Sequence, residues 1–260
     1  MDKTTKREQL LAEREQLFIN ATREQICQKG LLGVQMATIA KACDYATGTL
    51  YHHFNSKEDL LMAVCTCIAA DRIAYFRRVY EWDAPSRQRM FAYTVASSLF
   101  AQHHPEHFRL EQYIMTEVIW QACAPQRRQA FLAAMRPAGE MANSIVEQAV
   151  QQGDVDAHGH VPLAIASGQW TMSTGMQTLV HADGMLAQFG LNAPYQILLR
   201  NIQLQLNALN WRPLFTDPFD NARLQNEVDQ VTENCFADLC TDKGSFNMEY
   251  QAANRPDCKP

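Results

Sequence analysis

The chain has 260 residues, 23 Lys and Arg against 28 Asp and Glu, a formal net charge of −5, and 47% hydrophobic residues. That length admits one large domain or two, each with a core of its own. The acidic balance excludes a protein that coats nucleic acid by charge alone, and the lack of any apolar run of about 18 residues or of a leader-like segment predicts a soluble, cytoplasmic protein with no membrane role.

The charge is unevenly distributed. Residues 1–60 carry eight basic and eight acidic side chains, so the whole −5 falls on the remainder. The eight cysteines follow no secreted disulfide pattern and read as reduced thiols serving as small apolar residues. Lys3, Lys6, Arg7 and Arg14 crowd the start, forming either a basic arm or a solvated helix face. A first helix is predicted from about Arg7 to Lys29, stopped by Gly30, with Leu10, Leu17, Ala21 and Ile26 on its inner side.

Two short helices follow, about Met36 to Ala42 and Thr47 to Phe54, joined by Cys43-Asp44-Tyr45-Ala46. Met36, Ile39 and Ala40 share one face of the first. Leu50 and Phe54, four apart, form the buried stripe of the second. At about 100° per residue, Gly48 and His52 point away from that stripe, flanked by Thr49 and Tyr51. A short helix with such an outer face suits a DNA major groove. The Tyr and Thr hydroxyls can reach phosphate oxygens, and Thr and His can reach base edges. The candidate DNA-binding residues are therefore Thr47, Gly48, Thr49, Tyr51, His52, His53 and Lys57. For Tyr51 and His53, packing against the next helix is the competing reading. Lys57 lies in the first turn of that helix, where a cation opposes the helix dipole and a phosphate would compensate.

Ile39-Ala40, Gly48-Thr49-Leu50-Tyr51, His53-Phe54 and Ser56-Lys57-Glu58-Asp59-Leu60-Leu61 closely resemble the DNA-binding motif of the tetracycline-repressor (TetR) family of bacterial regulators. The chain departs from the family pattern in the turn. Asp44 stands where the family has Gly and must adopt the left-handed conformation at some cost. Tyr45 replaces an aliphatic plug. Ala46 replaces a capping Ser, which typically costs ~1 kcal/mol unless Thr47 caps instead. Gln35 and Ala37 likewise replace capping and polar residues.

Beyond the motif, a helix from Lys57 to about Tyr80 ends at Trp82-Asp83-Ala84-Pro85. Helical patterns then continue, with breaks at Pro105, Pro125, Gly153 to Pro162, and Leu191 to Pro194, and with a kink expected at Pro137. One more amphipathic helix is expected over Asp217 to Cys240. Strand signals are absent. The expected architecture is all-α: a helix-turn-helix headpiece over 1–56, a helical effector-binding and dimerisation bundle over 57–240, and a disordered polar tail over 241–260.

Ala164 to Val180 contains no charged residue, and Ala193 to Trp211 contains only Arg200. Helices so poor in charge must be covered on several sides. They are expected to pair across a two-fold axis as a homodimer, with Leu198 and Leu206 in the interface, an arrangement the resemblance also implies. Candidate ligand-binding residues are the aromatic and methionine side chains Phe91, Tyr113, Met115, Trp120, Trp170, Met172 and Met176, together with Glu117, whose carboxylate beside an aromatic face would suit a cation. For each of these, ordinary core packing competes with ligand contact. His103, His104 and His107 cluster around Pro105, but nothing completes a metal set, and neither metal nor cofactor is expected.

No phosphate loop, nucleophile elbow or metal signature points to an enzyme. The expected function is a homodimeric repressor that binds double-stranded operator DNA and is released by a small, largely apolar effector. The alternative is an effector-independent DNA-binding or assembly protein with a closed helical core.

Overall fold

The computed structural model describes residues 3–182 and 184–250. Among them the chain forms thirteen α-helices, one 3-10 turn and no strand. They fall into two compact units. Of the described residues, the first holds 3–70 and 106–135, and the second holds 71–105, 136–182 and 184–250. The expected division at residue 56 differs from this, because a body segment, Glu106–Met135, joins the headpiece.

In the first unit, α1 (Lys3–Lys29) is followed by the 3-10 turn Leu31–Gly33, α2 (Met36–Ala42), α3 (Thr47–His53) and the start of α4 (Lys57–Glu81). The core face of α1 is only partly the expected one, since Ile26 is buried as expected but Leu10 and Leu17 are not. Leu10 and Leu17 are about half exposed, at 52% and 51%, while Phe18, Ile19, Thr22, Gln25 and Ile26 are buried. Two of these buried residues are polar, and both are satisfied. Thr22 Oγ1 donates to the Phe18 carbonyl at 2.7 Å, and Gln25 Oε1 accepts the Gln35 N–H at 2.9 Å. Gln25 thus fixes the entry to α2, whose own N-cap side chain makes no capping bond. Helices α6 (Pro105–Ile114) and α7 (Glu117–Ala122) and the start of α8 (Pro125–Gln152) complete this unit.

The second unit is built around α5 (Ser86–His103), which packs against α9 (Pro162–His181), α11 (Pro194–Ala208) and α12 (Asn221–Cys235). Nearly all of α5 is buried, from Met90 and Phe91 to Phe100 and Ala101. Pro105 and Pro125 open helices, whereas Pro137 lies inside α8 without ending it. A short α10 (Met185–Gln188) follows α9. The expected helix over 217–240 divides at the buried Phe236 into α12 and α13 (Ala237–Lys243).

Leu198 and Leu206 require correction as interface residues. Both are buried within the chain's own core, along with Leu199 and Ile202. The exposed apolar side chains on the same helices are Leu163, Trp170, Leu179 and Leu204. The ordered structure also extends past residue 240. Phe246 and Met248 are buried, and the Met248 carbonyl accepts the Tyr195 N–H at 3.2 Å, while residues 251–260 lie outside the described residues.

Buried polar groups join the helices of this unit. The guanidinium of Arg87 donates to the Trp211 carbonyl at 2.6 Å, to Gln203 Oε1 at 2.8 Å and to Asn207 Oδ1 at 2.9 Å. Burial without a carboxylate in that set lowers its pKa to about 10, which leaves it charged at neutral pH. Trp211 donates its indole N–H to Ser86 Oγ at 3.0 Å, and Ser86 donates in turn to Asp154 at 2.6 Å.

Candidate nucleic-acid interface

Asp44 adopts φ 61°, the left-handed turn expected of a residue in a glycine position. The chain then doubles back, and the Tyr45 N–H donates to the Ala40 carbonyl at 2.9 Å. Tyr45 is accommodated by its neighbours: Phe18 meets it edge-on at 5.5 Å, and the Arg14 guanidinium lies 5.0 Å from its ring centroid. Arg14 therefore packs within the headpiece. The α3 N-cap, Ala46, makes no side-chain capping bond, and Thr47 does not take the cap position.

Leu50 and Phe54 are completely buried and fix the roll of α3. That roll leaves Gly48, Tyr51 and His52 exposed and Thr47 and Thr49 half-buried. Apart from its own helix backbone and chain neighbours, nothing lies within 4 Å of where a Cβ on Gly48 would stand, so a partner backbone can approach closely there. His53 points the other way. Its side chain is only 6% exposed and lies edge-on to Phe18, with Nδ1 3.9 Å from Glu15. Burial outweighs the Glu15 carboxylate and lowers its pKa. Of the seven candidates, His53 is thus a core residue of the headpiece.

Lys57 opens α4 and is half-buried. Glu58 and Asp59 share that first turn and offset the unfavourable placement of the cation. Ser56 Oγ accepts the Asp59 N–H at 3.1 Å. The buried Asp59 carboxylate accepts the Asn55 N–H at 3.2 Å through Oδ2 and the Ala124 N–H at 2.7 Å through Oδ1. Arg127, in the first turn of α8, binds Glu15 at 2.5 Å and donates to the His53 carbonyl at 3.1 Å, with its guanidinium 4.8 Å from the Phe54 ring centroid. The start of α8 therefore holds both the end of α3 and the start of α4. Sequence reasoning missed this clamp, whose only local signal is the cluster Pro125-Gln126-Arg127-Arg128 after a helix break.

The ligand candidates do not come together in one unit. Tyr113, Met115, Glu117 and Trp120 belong to the first; Phe91, Trp170, Met172 and Met176 belong to the second. Glu117 is exposed and accepts a hydrogen bond from Gln121 Nε2 at 3.1 Å. Trp120 meets Phe131 edge-on at 6.2 Å, Phe91 is core, and Trp170 is 62% exposed. A cleft of about 580 Å³ in the second unit is lined by Tyr80, Trp82, Ser86, Arg89, Gln148 and Gln152 among others, and by none of the eight.

Residues 18–64 match the sequence profile described as bacterial regulatory proteins of the tetR family. Over 64 residues the chain is 40% identical to the HTH-type transcriptional regulator UidR of Escherichia coli (strain K12), a match that covers 25% of this chain and 33% of UidR. The chain thus spans about a third of the length of the curated relatives it matches. In fold it is similar to a TetR/AcrR-family regulator from Thermobifida fusca YX-ER1, with TM-score 0.55 and 16% identity, covering 75% of this chain and 97% of that one. It is also similar to FadR from Bacillus subtilis, solved in complex with stearoyl-CoA, with TM-score 0.52 and 16% identity, covering 75% and 96%. A third likeness is to RolR, solved with resorcinol, with TM-score 0.52 and 16% identity, covering 80% and 97%. At these identities the structural likenesses show the fold alone.

Proposed function

For a chain whose residues 18–64 match the TetR family of bacterial regulatory proteins, we propose the role of a homodimeric transcriptional repressor that a small molecule releases from its operator. The observation that carries this reading is the outer face of α3. Gly48, Tyr51 and His52 are exposed, Thr47 and Thr49 are partly so, and Leu50 and Phe54 anchor the helix from behind. Small and hydrogen-bonding groups around a glycine suit a major groove, with Tyr51 and Lys57 serving phosphates.

Dimerisation is supported by Leu163, Trp170 and Leu179 of α9 and Leu204 of α11, which leave apolar surface exposed on a single chain. Two recognition helices about 34–36 Å apart would then reach successive major grooves. FadR and RolR were solved with small molecules bound, which supports an effector site in a body of this fold. Helices α4 and α8 each begin in the first unit and end in the second. An effector that favours one placement of α8 would act on α3 through Arg127 and on α4 through Asp59.

Selection of binding sites from random duplexes with purified protein tests the reading. A palindromic operator with half-sites one helical turn apart is the expected result. Failure to enrich any sequence would overturn it. Operator binding that no compound weakens would favour the effector-independent alternative.

A further inference from the structure

The interface between α5 and α9 is polar where the centre of a helical body is ordinarily apolar. The two helices run parallel. Arg87, at the start of α5, donates to Gln203 of α11; Gly168, early in α9, meets Gln205 of α11, whose side-chain nitrogen occupies the place of a Cβ. About two and a half turns further along both helices, Gln177 of α9 meets Ser97 and Ser98 of α5. Between these points α5 buries Thr94, Ser97 and Ser98, and α9 buries Gln169, Ser173 and Gln177 at i, i+4 and i+8.

Much of this polarity has no partner within the protein. Gln177 uses its amide nitrogen on Ser97 Oγ at 3.3 Å and Ser98 Oγ at 3.5 Å, but its Oε1 has none. Neither amide atom of Gln169 has a partner, although the residue is only 4% exposed. Thr94 Oγ1, on a residue 2% exposed, has none either. Buried amides and hydroxyls are costly unless hydrogen-bonded, and an unsatisfied group in a folded protein marks a place where something else completes it.

We infer that the α5–α9 seam is the polar end of the effector site. It takes a neutral group bearing both hydrogen-bond donors and acceptors, such as hydroxyls or an amide on a small apolar frame. This rests on the effector-responsive reading above. The orphan atoms on Gln169, Gln177 and Thr94 include a donor and several acceptors and carry no charge. Phe91, three residues before Thr94, and Phe100, three after Ser97, supply apolar surface on the same helix. The cation beside the seam, Arg72, already donates to Ser97 Oγ at 3.3 Å. An anionic ligand would seek Arg72 rather than the amides, and a cation would find no carboxylate among the six seam residues.

The test uses full-length protein and single-ring probes of similar size: resorcinol and benzamide, which are neutral and hydrogen-bonding, against toluene, benzoate and benzyltrimethylammonium. Resorcinol or benzamide is expected to raise the unfolding temperature with concentration, with toluene at least about tenfold weaker. Gln169→Met and Gln177→Met replace the amides by an apolar chain of similar length. Each is expected to raise the unfolding temperature of the ligand-free protein and to abolish the probe response. A lowered unfolding temperature in both ligand-free variants would overturn the inference, because the amides would then be structural. So would silence from both neutral probes, a toluene response as strong as theirs, or preference for either ion. Operator binding, measured in parallel, separates the two readings. If it persists through any of these results, only the seam assignment fails; if the wild-type chain binds no duplex, the regulator reading fails.

Discussion

Arg127 donates from its guanidinium to the backbone carbonyl of His53, 3.1 Å away, across 74 residues of sequence. The acceptor is the last residue of α3, so a side chain from α8 occupies one of the carbonyls that a helix end leaves unpaired. Arg127→Met removes this bond and leaves Glu15 without its guanidinium partner. The expected loss is about 1–3 kcal/mol of stability, with operator affinity falling about tenfold as α3 loses its fixed pose. Chemical denaturation and gel-shift titration measure the two effects. Unchanged operator affinity in a folded variant would remove Arg127 from the transmission route.

Phosphate contacts are expected from Tyr51 and Lys57. Tyr51→Phe and Lys57→Ala should weaken binding about equally on all sequences, and Lys57→Ala should lower the salt slope by about one. His53→Ala is expected to act differently, lowering stability without altering base preference, because its ring is packed against Phe18. Selection experiments on the variants discriminate these outcomes.

The dimer prediction turns on which face of α9 and α11 is free. Trp170→Asp or Leu163→Asp should yield a folded monomer by light scattering. Leu198→Asp and Leu206→Asp should instead unfold the second unit, at a cost above about 3 kcal/mol, because each buries a charge in a packed core. A wild-type monomer at micromolar concentration would refute dimerisation.

Acid should loosen the fold through its histidines. His103 Nε2 lies 2.9 Å from the Gly244 carbonyl and Nδ1 lies 3.0 Å from the Tyr75 hydroxyl, which together fit the neutral ring with its proton on Nε2. Burial lowers the pKa of His103 and of His53 below the ordinary value of about 6.5. The unfolded chain therefore binds protons first. The stability these rings contribute is complete above about pH 6.5 and declines as pH falls through their folded values. Denaturation midpoints at pH 7.5 and 5.5 are expected to differ, and His103→Asn should reduce the difference.

What the sequence made legible was local. The spacing of Leu50 and Phe54 set the roll of α3, and Asp44 in a glycine position announced its left-handed turn. Non-local relationships were not readable. Leu10 and Leu17 follow helical spacing as well as Phe18 and Thr22 do, and only the docking of α2 and α3 decides which stripe is covered. Arg127 gives no sign of its partner because Glu15, His53 and Phe54 lie far away in the chain. The ligand candidates were chosen for being aromatic or sulfur-bearing, a criterion that cannot tell which compact unit each joins. The buried glutamines of α9 were passed over within a run notable for having no charge, although their separation of eight residues, with Ser173 midway, was visible.

The four tryptophans sit in graded surroundings. Trp211 is fully buried with its indole N–H bonded to Ser86, Trp82 and Trp120 are half-buried, and Trp170 is 62% exposed. The chain therefore carries its own optical reporters. Iodide should quench Trp170 first and leave Trp211 dark to the quencher until the second unit opens. Association through α9 would protect Trp170 without altering Trp211, whereas loss of the body's core would red-shift Trp211 emission. One emission spectrum recorded at two quencher concentrations can thus tell subunit separation from unfolding without any added label.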